Sequence, residues 1–345
     1  MRVRQYDPNP EKPYELIPFA KQGVKRESPD GHHALKSDKL TGRMKIYLFP
    51  RVPIQVASGR QVLIKRRGRD EVVAEQSAIE QYGQEGKIEK IPILPGSSLK
   101  GMLRHLVETL SPSCVLISSG KTRFAIPNTQ RRCTQIKKLC PACRLFGMSG
   151  AGEENYLGQI SIEDAILQRG KRIIAHTPLL WTPARGRSGL PYRYLDGKEA
   201  KGRKLYYHSQ PAEGADARMA LKSGSQLMTW LHFENLSPGE LGLLITAWGL
   251  HPAHPFLPKI GAAKPVGRGT IEVYLDAVEV YGNIQRTGRF GSKTELYRRE
   301  QLETKIQDWV KSADEEGLLL NDSLEDVLKV LKSENLARSP VEGMY

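Results

Sequence analysis

The chain has 345 residues, with 52 Lys and Arg against 38 Asp and Glu, a formal charge of +14 and a sequence pI near 9.5. Hydrophobic residues at 39% and aromatics at 7% exclude a disordered acidic chain and a coiled coil. No apolar run approaches the ~18 residues of a membrane span, the N-terminal stretch lacks the apolar segment of a secretory signal, and four Cys are too few for a disulfide scaffold, so the expectation is a cytoplasmic protein with a polyanionic partner.

Residues 1–42 read as an N-terminal extension poor in apolar residues, with HHALKSDKLTG as loop and His32-His33 as part of its solvated surface. RMKIYLF (43–49) and VPIQVAS (52–58) have strand character. Pro50 and Pro53 at their junction allow either one bent strand or an edge strand. QVLIKRRGRDEVVAEQ (61–76) predicts a strand that turns at Gly68, and KIEKIPIL (87–94) a short strand before a Pro-Gly turn. PGSSLKGMLRHLVETL (95–110) predicts a helix that Ser97 or Ser98 caps, with Leu99, Met102, Leu103, Leu106 and Leu110 as its buried stripe. GQISIEDA (158–165), LMTWLHFE (227–234) and TIEVYLDAVEV (270–280) predict further strands. Ser237, Pro238 and Glu240 form an N-cap, N1 proline and capping-box glutamate ahead of the apolar face Leu241, Leu244, Ala247 and Trp248. Mixed strands with few helices point to an α+β fold.

The charge is uneven. From Gly291 to Tyr345 there are 8 basic and 12 acidic residues, so residues 1–290 carry +18. Leu302, Ile306, Trp309 and Val310, with Leu296 a looser match, predict one amphipathic helix in that acidic region. Leu324, Val327, Leu328 and Leu331 predict another, with Asn321 or Ser323 as its N-cap. The two form a helical appendage that packs on the body or on a neighbour.

Four segments can carry chemistry. In 95–110 a glycine turn, free backbone N–H groups at a helix start, and Lys100 and Arg104 one turn apart make a phosphate cradle; a capped surface helix with no ligand has the same spacing. Cys133, Cys140 and Cys143 stand as C-x6-C-x2-C, with Cys114 upstream. Four thiolates complete a closed structural zinc site, for which His105 is a substitute fourth ligand. In WTPARGRSGLPYRYLDGKEAKGRKLYYH (181–208) basic residues interleave with Trp181, Tyr192, Tyr194, Tyr206 and Tyr207, a pattern suited to single-stranded nucleic acid and also to a solvated basic loop. In KIGAAKPVGRGTIEV (259–273), Gly261, Gly267 and Gly269 let the backbone approach a phosphate beside Lys264 and Arg268, unless this is only a tight turn before a strand.

In this order LPGSSLKGMLRHLVE, CPACRLFG, GRKLYYH and IGAAKPVGRGTIEV resemble the RAMP superfamily of CRISPR-associated proteins over roughly residues 43–280. The spacing is similar to backbone-type subunits of type III effector complexes, and the last two segments to a subfamily with an elaborated insertion. The resemblance implies a modified RRM-like (ferredoxin-like) βαββαβ core at 43–290. Its insertions would be Cys-rich at about 111–150 and basic-aromatic at about 181–224, with the acidic helical region at 291–345. It implies a crRNA-binding role in antiviral defence, with crRNA, target RNA and other effector subunits as partners. The residues it places on RNA are Gly96, Ser97, Ser98, Lys100, Arg104, Arg144, Arg203, Lys204, Gly261, Lys264, Gly267, Arg268 and Gly269. Cys114, Cys133, Cys140 and Cys143 would hold a structural zinc ion. Some family members cleave target RNA with an Asp in the loop before the PGSSLKG segment. Asp70 is the only Asp in the corresponding loop here, and cleavage there would need a divalent cation such as magnesium. Its basic surroundings, KRRGRDEVV, read instead as a surface loop.

Overall fold

The computed structural model describes residues 12–66, 68–83, 86–116, 120–149, 154–180, 190–282 and 294–341. Trp181 lies outside the described residues. In chain order, β1 (Tyr14–Pro18), β2 (Leu40–Pro50), β3 (Ala57–Arg66), β4 (Arg69–Gln76), β5 (Ala78–Tyr82) and β6 (Ile88–Leu94) lead into helix α1 (Gly96–Leu110). Helix α2 (Pro141–Phe146) follows, then β7 (Gly147–Ser149), β8 (Asn155–Leu157), β9 (Ile160–Ile162), β10 (Ala165–Arg169) and β11 (Arg172–Thr177). Next come β12 (Leu195–Asp196), β13 (Glu199–Ala200), β14 (Gly202–Tyr206), β15 (Asp216–Leu221), β16 (Gln226–Leu236) and α3 (Pro238–Ala247). The chain closes with β17 (Ile271–Tyr281), β18 (Thr294–Tyr297), α4 (Arg299–Glu315) and α5 (Asn321–Leu331).

Alternation along β2 sets the central sheet. Met44, Ile46 and Leu48 are buried, whereas Arg43, Lys45 and Tyr47 on the opposite face are half-exposed. The sheet runs β18-β17-β2-β16-β10-β6-β5, with β9 also pairing β16, and its ladders are antiparallel. Helix α1 lies between β2 and β10 in sequence, and α3 between β16 and β17. The four strands β17-β2-β16-β10 therefore form a βαββαβ unit in spatial order 4-1-3-2. A second sheet, β11-β15-β4-β3, gathers strands that interrupt this unit, and β1 pairs with β14.

Helix α3 starts as its sequence requires. Ser237 Oγ accepts from the Glu240 N–H, and Glu240 Oε2 accepts from the Ser237 N–H. The acidic C-terminal region packs on its own chain: Leu302, Trp309, Val310 and Ala313 of α4 are buried with α4 against α3, and α5 meets α1, β1 and β14.

Several local expectations are corrected. Residues 52–56 do not continue β2: Pro53 lacks an N–H, Ile54 makes an isolated bridge to Leu221, and strand structure resumes only at Ala57, where β3 begins. The N-terminal extension contains a strand, β1, because Ile17 and Tyr14 are buried against β14. Pro95, not Ser97 or Ser98, occupies the cap position of α1, with no side-chain cap. Leu320 occupies that of α5, so neither Asn321 nor Ser323 caps it. Leu296 lies on β18 opposite Glu279 rather than on a helix, and is 45% exposed. No helix among the described residues is long and apolar enough to cross a membrane.

Candidate nucleic-acid interface and metal centre

The four cysteines come together from three turns. Cys114 follows the end of α1, Cys133 follows a 3-10 turn at Asn128–Gln130, and Cys140 and Cys143 flank the start of α2, where Pro141 opens the helix. All four are buried, and their Sγ atoms lie within 4.8 Å of one another. Cys114 Sγ stands 3.6 Å from Cys140 Sγ and 3.7 Å from Cys143 Sγ. A tetrahedral zinc ion with Zn–S bonds of ~2.3 Å places its sulfurs ~3.8 Å apart, so the donors fit such an ion. The Cys114 N–H donates to Cys140 Sγ and the Cys140 N–H to Cys133 Sγ, as suits thiolate acceptors. Without an ion the four thiols share protons: hydrogen bonds within the set hold Cys140 and Cys133 below their ordinary pKa and push Cys114 and Cys143 above it. His105 is not the fourth ligand: its Nε2 pairs with the Lys204 carbonyl at 2.9 Å.

Three of the four sequence segments meet at a single cleft of about 600 Å³. Ser98, Gly101 and His105 of α1 form one wall, Lys204 of β14 a second, and Lys259, Gly261 and Lys264 of the glycine-rich loop a third. Among the described residues no carboxylate lines it. Gly261 has φ +86°, and a side chain there would place its Cβ 2.2 Å from the Gln55 carbonyl, so only glycine carries the loop past the segment between β2 and β3. Around Gly101 a Cβ would meet nothing within 4 Å, which leaves the α1 wall open.

The lysines are held in unusual surroundings. Lys259 is 7% exposed, and its Nζ donates to the Tyr207 carbonyl at 2.7 Å. Burial, then the charge of Lys264, lowers its pKa to about 7. Burial also lowers Lys264. Lys204 Nζ stands 4.3 Å from the Tyr14 ring centroid, 4.5 Å from Tyr206 and 5.4 Å from Tyr194. The β1–β14 ladder builds this cage by pairing Tyr14 with Tyr206. Burial, then Lys12, lowers Lys204 to about 8. His105 is desolvated to about 4 and stays neutral.

The remaining basic side chains selected from the sequence turn inward. Lys100 Nζ donates to the Ile160 carbonyl at 3.0 Å. Arg104 binds Glu108, the Gly147 carbonyl and Cys143 Sγ. Arg144 is held by Glu240 at 2.7 Å and Glu27 at 3.3 Å, tying α2 to α3. Arg203 Nη2 donates to the carbonyls of Ser113 and Cys114, and Arg268 Nη2 to the His176 carbonyl and Glu213. The backbone N–H of Gly96 is taken by Asp164 at 2.8 Å, Ser97 is exposed beside it, and Gly267 and Gly269 are buried turn positions with φ of +79° and +91°. His208 is also structural, bridging Thr270 and the Leu331 carbonyl.

Asp70 is exposed on the β3–β4 hairpin opposite Lys65. Nearby carboxylates are engaged elsewhere, Glu71 with His176 at 2.8 Å and Glu75 with Lys90 at 3.0 Å. Among the described residues the four cysteines are the only group of three or more metal-capable side chains, so no carboxylate cluster gathers at Asp70.

Comparison with known proteins adds a family. A model described as the RAMP superfamily matches residues 53–294, which spans the glycine-rich loop, the cysteines and the second sheet and begins just after β2 of the central sheet. No curated protein sequence matches. Among solved structures, a chain described as "Type IV-B CRISPR Complex" is similar at 18% identity and a TM-score of 0.35, covering 68% of this chain and 90% of that chain.

Proposed function

The chain belongs to the RAMP superfamily, and from that premise we propose that it is a crRNA-binding backbone-type subunit of a type III CRISPR effector complex, serving antiviral defence with target RNA and other effector subunits as partners. The observation that carries this reading is the lysine-lined cleft. Three ammonium groups line it with no carboxylate among the described residues, and burial weakens the hold of all three on their protons. A phosphodiester supplies the missing negative charge, and the glycine loop gives it close backbone approach. Such a cleft holds an RNA backbone without reading bases, which is what a guide strand requires, since its sequence is read by pairing with the target. The thiolate site would hold zinc structurally, fixing the turn after α1 that abuts β14. The direct test is to purify the protein from its native cell and analyse the nucleic acid that comes with it. A short RNA of uniform length with a common 5′ tag is expected; heterogeneous RNA or none would refute the assignment.

Proton linkage gives a second handle. In the free protein Lys259 loses its proton near pH 7, and a bound phosphate favours the charged form, so binding above that pH takes up a proton. RNA affinity should therefore fall between pH 7 and 8.5, by up to ~tenfold per pH unit for each proton taken up. Lys204 contributes at the upper end of the window, near 8, and His105 does not contribute because it remains neutral. Stability of the free fold should move oppositely. Over the same window the unfolded chain binds a proton on Lys259 that the native state lacks, so stability rises with pH. Binding isotherms and melting curves at constant ionic strength measure both signs. An affinity flat with pH would remove Lys259 from the interface.

A further inference from the structure

A second cavity, of about 390 Å³, adjoins the lysine cleft: Gly101 and His105 line both. Its character is different. Phe19, Ile126, Leu190 and Tyr194 give it apolar and aromatic walls, and its charged groups are Arg104, Glu108 and Arg203, with Thr122 and the neutral His105 as further polar lining. Arg203 is only 8% exposed, and with Nη2 committed to the Ser113 and Cys114 carbonyls its Nε has no hydrogen-bond partner. Glu108 Oε1 accepts from Arg104 Nε at 2.9 Å, whereas Oε2 lies 3.9 Å from Arg203 Nε, beyond hydrogen-bond reach. A desolvated donor and a carboxylate acceptor thus stand side by side in a cavity with largely apolar and aromatic walls. Buried polar groups are normally satisfied, so the unpartnered Arg203 Nε points to a ligand atom, with Glu108 Oε2 as the acceptor beside it.

The ligand that fits is flat, apolar on its faces and mixed donor and acceptor along one edge. We propose that the cavity takes one unstacked nucleobase of the RNA held in the lysine cleft, its edge accepting from Arg203 Nε and donating to Glu108 Oε2. This rests on the RNA-binding reading of the neighbouring cleft. Adenine, cytosine and guanine each present an exocyclic amine beside an acceptor, the pattern the two side chains require. The shared wall at Gly101, which carries no side chain, leaves an opening between backbone cleft and base cavity.

The test walks a single abasic nucleotide along a short single-stranded RNA and measures binding to the full-length protein at each position. One position is expected to weaken binding about tenfold, with the others near neutral. Ile126→Trp fills the cavity without touching the lysines or cysteines. It should weaken intact RNA by a similar factor, abolish the positional effect and leave the salt dependence unchanged. If every abasic RNA binds alike and the tryptophan variant binds as the parent, the base cavity is refuted while salt-dependent binding preserves the cleft. Absence of any RNA binding overturns the cleft reading itself. Should Ile126→Trp fail to fold, the abasic walk on the parent decides alone.

Discussion

A Cys140→Ser variant should lose the one zinc ion per chain expected of the parent, and melt about 10 °C lower, which corresponds to ~3–5 kcal/mol at roughly 2–4 °C per kcal/mol. Among the described residues the site has no spare ligand: four sulfurs close the tetrahedron, and His105, the other candidate donor, is turned to the Lys204 carbonyl. A serine hydroxyl is a poor substitute for a soft thiolate. The consequences extend beyond the turn. Arg104 reaches Cys143 Sγ from α1, and Arg203 reaches the Cys114 carbonyl from β14, so the cluster fastens together the helix and strand that wall the lysine cleft. The net positive charge of Arg104 and Arg203 against Glu108 also offsets the negative charge of a zinc tetrathiolate. Metal loss should therefore weaken RNA binding and raise amide exchange in residues 202–206, whether caused by mutation or by a chelator. A purified parent that is metal-free and melts unchanged with chelator would overturn the assignment.

Periodicity made much of the frame legible. The alternation in 43–49, 227–234 and 270–280 and the apolar stripe of 95–110 correspond to the strands β2, β16 and β17 and helix α1. The S-P-x-E signature marks the start of α3, and cysteine spacing marks the metal donors. What does not hold is the equation of a polar helix face with a wet one. Lys100 and Arg104 lie off the α1 stripe, as spacing says, yet the Cys-rich insertion and the strands after it cover that face and take up both charges. An insertion folds back according to long-range packing, which local periodicity does not encode. Tyr14 escapes a reading by periodicity because its strand is five residues long and sits among prolines. Lys259 and Gly101 carry faint signals: a lysine at the edge of a glycine-rich segment, and an isolated glycine inside an amphipathic helix, where it costs stability unless space is needed.

Lys204→Ala combined with Lys264→Ala should weaken binding of single-stranded RNA about 30- to 100-fold and flatten the dependence of log affinity on log salt by ~1.4, at ~0.7 for each phosphate that is no longer neutralised. The two lysines come from different walls of the cleft, one caged by Tyr14, Tyr194 and Tyr206 and the other on the 3-10 turn Lys264–Val266. Both are desolvated with no carboxylate in the lining among the described residues, so the free protein already bears the cost of holding them there. Removing them should leave the melting temperature unchanged or slightly raised, which separates a binding defect from a folding defect. Lys100→Ala with Arg104→Ala should behave in the opposite way. Those groups hold the Ile160 and Gly147 carbonyls and Cys143 Sγ, so the fold loses stability while the salt slope of whatever RNA binding remains is unchanged. Filter-binding titrations from about 50 to 300 mM salt on both double variants, with melting curves alongside, measure the contrast. An unchanged slope for the Lys204 and Lys264 variant would mean that the RNA backbone runs elsewhere on the protein.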